Sequence, residues 1–286
     1  LGRVNTGSVA QRLADTPGVA RTILDAARAA RGMPGADPRA MSHSWLFTGP
    51  PGSGRSLAAL DFAAALMCTD PEEPGCGRCE ACQAVLDAKQ HTDLVLVDPQ
   101  EVIIPVDTVR EVIGRAASLP TVAPWRVVIF NNADRLNNNG ANALLKTVEE
   151  PPARTVIIMC APSDAPEDFS QTLRSRCRHL YIPSPSVESI TAQLVSEGAS
   201  DHDAHLAALT SLRHVGRARR LVNDPAVQKR RAVAINLAEE VFHGSQGFQA
   251  VTSLLKLVDS EAKESHKEQE EAELAKLEQT LSLIHI

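Results

Sequence analysis

Short runs of consecutive apolar residues alternate along this chain with stretches in which apolar residues recur at helical spacing. The apolar runs cover residues 45–48, 94–97, 127–130 and 156–159, and the helical stretches between them cover residues 57–68, 106–118 and 138–148. Runs that are apolar on both faces are typical of strands buried on both sides of a parallel sheet. Their alternation with helices predicts a doubly wound α/β domain.

The pattern changes after residue 182. Residues 182–186 read Ile-Pro-Ser-Pro-Ser, which is typical of a linker, and the residues beyond have helical periodicity with no further convincing strand. A small helical domain is therefore predicted to begin there.

Size and charge limit the classes of function. The chain has 286 residues, 43% of them hydrophobic, which is enough for about two domains with a sizeable core. It contains neither an apolar run long enough to span a bilayer nor a signal-peptide core in residues 1–30, so we expect a cytoplasmic protein without a membrane partner. Net charge is −6, and residues 259–280 hold eight acids against three bases. The net charge of the rest of the chain is therefore near zero, which argues against tight independent binding to nucleic acid.

A glycine-rich loop follows the first predicted strand. Its residues are Gly49, Pro50, Pro51, Gly52, Ser53, Gly54, Arg55 and Ser56. They fit the phosphate-loop spacing G-x-x-x-x-G-K-[ST], except that Arg55 stands where lysine is expected. Such loops turn backbone N–H groups toward an anion, and Ser56 would offer its hydroxyl to Mg²⁺. Nucleotide binding is one interpretation; a glycine–proline turn without a ligand is the other.

The third predicted strand is followed by Asn131 and Asn132. ATPases with a phosphate loop place an acid there to hold Mg²⁺, and neither amide can act as a general base. Asp134 is a possible replacement, but capping or orienting the next turn is the favoured interpretation of this residue. The sequence therefore predicts little or no ATP hydrolysis at this chain's own loop.

Four cysteines lie within fifteen residues of one another, at Cys68, Cys76, Cys79 and Cys82. The spacing C-x7-C-x2-C-x2-C predicts a structural Zn²⁺ held by four thiolates, a closed shell without a site for water. Two disulfides, or no metal, are the alternatives. Cys160 and Cys177 are expected to be small buried residues.

Two further segments carry the most information. Residues 141–152 read as a helix with Leu144, Leu145 and Val148 on one face, stopped by two prolines. About two dozen residues later, Ser175-Arg176-Cys177 places an arginine where it can point away from its own subunit. A guanidinium presented to a neighbour's triphosphate completes the catalytic site of many assemblies, so Arg176 is the candidate catalytic residue.

Together, the glycine loop, the cysteines, residues 106–110, the Ala-Asn-Ala-Leu-Leu-Lys helix and Ser-Arg-Cys resemble the DNA polymerase III clamp-loader family. Within that family the chain is more similar to subunits of the delta-prime type than of the gamma/tau type. The resemblance covers roughly residues 41–221.

It implies a RecA-like AAA+ P-loop domain with a parallel sheet over residues 1–183, with a zinc-binding insertion at 68–82. A helical lid over 184–226 and the incomplete start of a helical collar over 227–286 would follow, the last of them truncated or ending in a non-native tail.

The resemblance also assigns roles to residues. It places Arg176 at the position of an arginine finger acting on a neighbour, Ser163 at a sensor position and Arg219 at the position of the lid arginine. The implied partners are the gamma/tau and delta subunits, with the sliding clamp and primed DNA reached through the assembled complex. ATP and Mg²⁺ would be bound with little hydrolysis. Two other functions stay open: a gamma/tau-like motor that hydrolyses ATP, and a non-catalytic, zinc-containing interaction module.

Overall fold

A parallel sheet forms the centre of the fold in this computed structural model, which describes residues 7–99, 101–242, 248–249, 251–252, 255–256, 258–260 and 263. The strands are β1 Ser44–Thr48, β2 Leu94–Val97, β3 Arg126–Phe130, β4 Thr155–Ala161 and β5 Arg178–Tyr181. Their order across the sheet is β2-β3-β4-β1-β5, and every neighbouring pair is parallel. The predicted α/β architecture is confirmed, and the strand that leads into the glycine loop lies between β4 and β5.

Helices and two short 3-10 turns connect and follow the strands. The helices are α1 Val9–Arg12, α2 Pro17–Ala30, α3 Arg55–Met67, α4 Glu80–Leu86, α5 Val106–Ala116, α6 Asn138–Glu149, α7 Gln171–Arg174, α8 Val187–Ser196, α9 Asp201–Thr210, α10 Val215–Asn223 and α11 Pro225–Phe242. The 3-10 turns are Pro38–Ala40 and Ala133–Arg135. The helices predicted over 57–68, 106–118 and 138–148 correspond to α3, α5 and α6, and their ends agree with the observed bounds to within two residues. The helical prediction beyond residue 186 is confirmed in the described part of the chain.

The sheet is buried on both faces, as its continuous apolar runs predict. Trp45 and Phe47 of β1 pack in one apolar cluster together with α3, whereas Leu46 packs in a second cluster on the opposite face. All three side chains are fully buried. Because successive residues of a strand point to opposite faces, each core requires an apolar residue at every second position.

Strand β5 was absent from the sequence prediction, which is wrong on this point. Its residues Arg178, His179, Leu180 and Tyr181 do not form an apolar run, because β5 lies at the edge of the sheet and is only partly buried. Pairing with β1 supplies its backbone hydrogen bonds, and the Arg178 guanidinium lies over the Trp45 ring, 4.9 Å from its centre.

Two compact units divide the chain, Leu1–Ala218 and Arg219–Ile286, and the boundary falls within α10. The proposed domain limits at 183/184 and 226/227 stay predictions. The charged helix expected over 260–280 lies, apart from Ser260 and Lys263, outside the described residues. Where the structure describes helices, none is both long and apolar enough to cross a membrane.

Candidate functional site

The glycine loop joins the buried strand β1 to the N-terminus of α3. Inside it, the Ser53 N–H donates to the Pro50 carbonyl over 3.0 Å, and Gly52 has a left-handed φ of +84° that favours glycine. Gly54 is the N-cap of α3 and offers no side chain to its first N–H groups. The positive end of a 13-residue helix, with no side-chain cap among the described residues, therefore faces the loop, an arrangement suited to an anion.

Several buried polar atoms around this loop have no hydrogen-bond partner among the described residues. They include Ser53 Oγ, Arg55 Nη1 and, at the end of β3, Asn131 Oδ1. Buried polar groups in folded proteins are nearly always paired. A donor, an acceptor and a hydroxyl left over at one end of the sheet therefore fit a polyatomic, hydrogen-bonding ligand such as a nucleotide phosphate.

The charge on Arg55 is opposed by burial and supported by its neighbours. Burial lowers the pKa of its guanidinium, while Cys160, Asp134 and Asp168 act on it in the opposite direction. A phosphate would support the same charge far more strongly, because the pairing would be direct.

No carboxylate stands directly at the end of β3. The side chain of Asn131 is buried, and the backbone N–H of the same residue donates to the Val97 carbonyl over 2.8 Å. Asn132 takes a left-handed φ of 53°. Asp134 is exposed, on the 3-10 turn that follows. The turn thus places an acid near Arg55 but not at the strand end.

The predicted sensor residue Ser163 lies beside the glycine loop, because the Gly49 N–H donates to the carbonyl of the preceding residue, Pro162, over 3.2 Å. The Ser163 hydroxyl donates to Asp168 Oδ2 over 2.6 Å and accepts from the Ala165 N–H over 3.1 Å. Asp168 therefore links the Ser163 hydroxyl to the charge of Arg55.

His214, which lies between α9 and α10, packs against the glycine loop. A Cβ placed on Gly52 would lie 2.7 Å from the Cβ of His214 and would overlap its imidazole. His214 Nδ1 accepts from the Arg217 N–H over 3.3 Å, and burial, reinforced by the charge of Arg217, lowers the pKa of the ring. A neutral imidazole in contact with the loop is the result.

A polar network holds the strand that enters the loop. Thr48, the last residue of β1, contacts His179 Nε2 of β5 through its hydroxyl at 2.6 Å. Arg174 of α7 donates from Nε to Asp164 Oδ2 over 3.0 Å. Burial is the largest factor that lowers the pKa of His179, and the nearby Arg174 adds to it while Asp164 opposes it.

Arg176 is exposed just beyond α7, between the buried side chains of Leu173 and Cys177. Its Nε donates to Glu149 Oε1 over 2.6 Å, and its Nη1 donates to the Thr172 carbonyl over 2.8 Å. The two segments that stand out in the sequence, at the end of α6 and after α7, therefore meet through this arginine.

The four clustered cysteines converge as their spacing predicts. The Sγ atoms of Cys68, Cys76, Cys79 and Cys82 all lie within 4.8 Å of one another. Four converging thiols are the donor set of a structural tetrahedral Zn²⁺ site, so the residues fit a metal ion. Hydrogen bonding from Cys82 lowers the pKa of the Cys68 thiol well below its ordinary value, which favours a thiolate.

The loop between these cysteines is packed tightly against the N-terminal segment. Gly77 has a φ of +71°, and a Cβ there would overlap the carbonyl of Gly7. The Val9 N–H donates to the Gly75 carbonyl over 2.8 Å. The cysteine loop thus holds the start of α1, which is a structural arrangement rather than an open catalytic one. Cys160 and Cys177 are buried, as predicted.

Arg219, the predicted lid arginine, is exposed on α10 at the start of the second unit. Sequence reasoning missed Asp168, His214 and His179 as neighbours of the glycine loop. No local motif marks them, because each reaches the loop only through the folded chain.

Comparison with known proteins gives a consistent set of relatives. Residues 36–186, just over half of the chain, match the family model described as DNA polymerase III, delta subunit. The DNA polymerase III subunit delta' of Pseudomonas aeruginosa is 36% identical over 165 residues, covering 55% of this chain and 49% of that protein. The delta' subunit of Escherichia coli is 35% identical over 170 residues, covering 58% of this chain and 50% of that protein.

A gamma/tau subunit is also among the relatives. The DNA polymerase III subunit gamma/tau of Mycobacterium bovis is 33% identical over 174 residues, covering 59% of this chain and 30% of that protein. The chain thus spans about half the length of the two delta' relatives above.

Proposed function

The chain belongs to the DNA polymerase III delta subunit family, and we propose that it is a delta-prime-like subunit of the bacterial clamp loader. In this role it helps to place a sliding clamp on primed DNA during replication. Its neighbours in the ring are gamma/tau and delta subunits, and it reaches the clamp and the DNA through the assembled complex in the cytoplasm.

The observation that carries this proposal is the placement of Arg176. The residue is exposed, and it lies in the chain between two buried side chains. Its guanidinium is held through Nε and Nη1, and no partner for Nη2 is found among the described residues. An arginine that one subunit offers to a triphosphate held by another stabilises the charge of the transition state, an effect worth roughly 10³–10⁵ in rate. Arg176 is suited to this role because little has to move before it can meet a phosphate.

The chain's own loop supports nucleotide binding more than hydrolysis. Backbone N–H groups at the start of α3, together with Arg55, would hold the phosphates, and Ser56 would face Mg²⁺. When bound, Mg²⁺ neutralises charge that develops between the phosphates. The amide of Asn131 cannot take a proton from water, and no carboxylate replaces it at the strand end. The chain is therefore proposed to bind ATP and to hydrolyse it slowly or not at all.

The cysteine cluster is proposed to hold a structural Zn²⁺. Four thiolates fill a tetrahedral shell, so the ion would contribute to the folded state rather than to chemistry. It would hold the loop against which α1 packs.

A second candidate is a gamma/tau-like motor that hydrolyses ATP itself. The observation that favours it is the position of Asp134 and Asp168, both close enough to Arg55 to act on its charge. Either carboxylate would then have to replace the acid that is missing after β3.

Reconstitution of the loader from this chain and its own gamma/tau and delta partners tests the proposal. ATP hydrolysis, stimulated by the clamp and primed DNA, is compared between the parent chain, Arg176→Ala and Arg28→Ala, after equal assembly has been confirmed. Arg28 is a suitable control because it is also a half-exposed arginine in an ion pair, with Asp25 on α2. We expect Arg176→Ala to slow hydrolysis about 10³-fold at one interface, with a smaller fall in total turnover because other interfaces keep their own arginines.

Equal rates for all three proteins would contradict the proposed finger and leave an interaction role. Hydrolysis by the isolated chain, lost in Arg55→Met, would favour the motor instead.

A further inference from the structure

The last residue of α6, Glu149, forms an ion pair with Arg176, 27 residues further along the chain. Glu149 Oε1 accepts from Arg176 Nε over 2.6 Å. Neither side chain is deeply buried, since 47% of the glutamate and 37% of the arginine is exposed. The pair therefore lies on the surface at which α6 and α7 meet.

The hydrogen bonds of Arg176 divide its guanidinium into a bound part and an outward part. Nε is bound to Glu149, and Nη1 donates to the Thr172 carbonyl over 2.8 Å and to the Ser175 hydroxyl over 3.2 Å. For Nη2, no partner is recorded within the described part of the chain. A planar guanidinium bound at two of its nitrogens has a defined plane, so the direction of the third nitrogen is defined as well.

Two of these anchors come from the arginine's own segment. Thr172 and Ser175 belong to α7 and its C-terminal cap, and Leu173 and Cys177 fix that segment in the core. Among the described residues that bind Arg176, Glu149 is the one from another element, and it is charged. It therefore determines which way the long arginine side chain leans from α7.

We propose that Glu149 is a positioning residue for Arg176, which it orients so that Nη2 meets the triphosphate held by a neighbouring subunit. This inference rests on the proposed function, because it needs Arg176 to act on a partner's nucleotide. Misplacing a catalytic group by about 1 Å can reduce a rate about 100-fold. Exposed ion pairs contribute little to folding stability. Loss of Glu149 should therefore reduce turnover while the folded state is preserved.

Glu150 provides a matched control. It is the next residue, it is also an exposed glutamate, and no ion pair is recorded for its side chain among the described residues. Changing Glu150 removes the same charge from almost the same place without touching Arg176.

The experiment uses the reconstituted loader with clamp and primed DNA. The variants are Glu149→Ala, Glu149→Gln, Glu150→Ala, Glu150→Gln, Arg176→Ala and the double change at 149 and 176. At the affected interface we expect Glu149→Ala to lower kcat about 10- to 100-fold with KM changed less than about threefold. Glu149→Gln keeps an acceptor oxygen and should recover part of the rate, ending about 3- to 10-fold below Glu150→Gln. The double variant should be no slower than Arg176→Ala alone, since Glu149 acts through the arginine.

Four outcomes would overturn the inference. If Arg176→Ala slows the loader but Glu149→Ala matches Glu150→Ala, the arginine acts without help from Glu149. A faster Glu149→Ala would mean that the glutamate restrains the finger. If Arg176→Ala has no effect, the proposed function fails first and the role of Glu149 fails with it. If Glu149→Ala does not assemble, the comparison of Glu149→Gln with Glu150→Gln tests the inference instead. Equal rates for these two variants would also refute the positioning role.

Discussion

Replacing Arg55 with methionine should change the stability of the protein in opposite directions with and without a nucleotide. Arg55 follows the last glycine of the loop, and its Nη1 is buried without a partner among the described residues. A buried donor without an acceptor costs about 1–3 kcal/mol, and more when it carries charge. Methionine removes that donor while it keeps an unbranched apolar stem, so the nucleotide-free variant should be at least as stable as the parent.

With a nucleotide bound, the difference in unfolding free energy should shift in favour of the parent. A hydrogen bond that involves a charged group contributes about 1.5–3 kcal/mol, so its loss should weaken Kd roughly 10- to 150-fold. At a ligand concentration of about 100 times the parent's Kd, binding stabilises the parent by about 2.7 kcal/mol. A variant with 100-fold weaker Kd would gain only about 0.4 kcal/mol under the same conditions.

Calorimetric titration with ATP or a slowly hydrolysed analogue, in Mg²⁺, measures Kd directly, and thermal unfolding measures both stabilities. For a domain of this size the parent's Tm should rise by about 5–11 °C on binding, and that of the variant by about 1–2 °C. Arg55→Lys is the control that keeps the charge and should keep most of the affinity.

Two results would refute this reasoning. An unchanged Kd together with a lower Tm of the nucleotide-free variant would show that Arg55 supports the fold, through Asp168 and Asp134, rather than a phosphate. Failure of the parent chain to bind any nucleotide would refute the fit of the loop itself.

Three further predictions concern the cysteine cluster, a buried ion pair and the glycine loop. Cys76→Ser should reduce bound Zn²⁺, measured by elemental analysis, and lower the Tm, whereas Cys177→Ala should keep the metal; equal metal content would contradict the cluster. Asp93 is fully buried and accepts from three backbone N–H groups and a buried guanidinium, so Asp93→Asn should cost about 3–5 kcal/mol of unfolding free energy in urea at pH 7. Burial acts to raise the pKa of Asp93, but these donors outweigh it and hold the pKa well below its usual range. Their contribution to stability is therefore complete above the ordinary pKa of Asp, about 3.9, and is lost as the pH falls through the lowered pKa of the folded state. The difference in unfolding free energy between parent and variant should thus narrow steadily as the pH is lowered below about 4. Gly52→Ala should destabilise through a left-handed φ, at about 1–2 kcal/mol, and through overlap with the ring and the Cβ of His214. In a double-mutant cycle, adding His214→Gly, which removes both, should restore only the second part, and equal losses from Gly52→Ala in the two backgrounds would refute the contact.

The strands show where sequence patterns succeed and where they fail. Strands β1 to β4 were predicted to within a few residues, because burial on both faces demands an apolar residue at every position. Strand β5 has Arg178 and His179 at positions that would be apolar in a central strand. Its stability comes from pairing with β1 and from the contact of Arg178 with Trp45, which no local pattern encodes.

The candidate sites also contain parts that the local sequence predicts and parts that depend on the folded chain. The glycine loop and the cysteine cluster are each built from one short segment, so spacing alone indicates their chemistry. Asp168 and His214 come to the glycine loop from distant segments. Their residue types are common on protein surfaces, and nothing near them in the chain distinguishes them from polar residues that stay exposed.

Arg176 shows most clearly what the local sequence determines and what the tertiary structure determines. Its place after α7 and its flanking buried residues follow from the local sequence, as do the sheet's apolar strands, the phosphate-loop spacing and the convergence of four cysteines. The partner of Arg176 was decided by the packing of α6 on α7, which brings Glu149 within 2.6 Å. Hydrogen bonds and ion pairs act over a few ångströms, so which residues pair across distant segments depends on where the packed core places them. Periodicity and spacing describe neighbours along the chain, whereas the contact between Arg176 and Glu149 is one between neighbours in space.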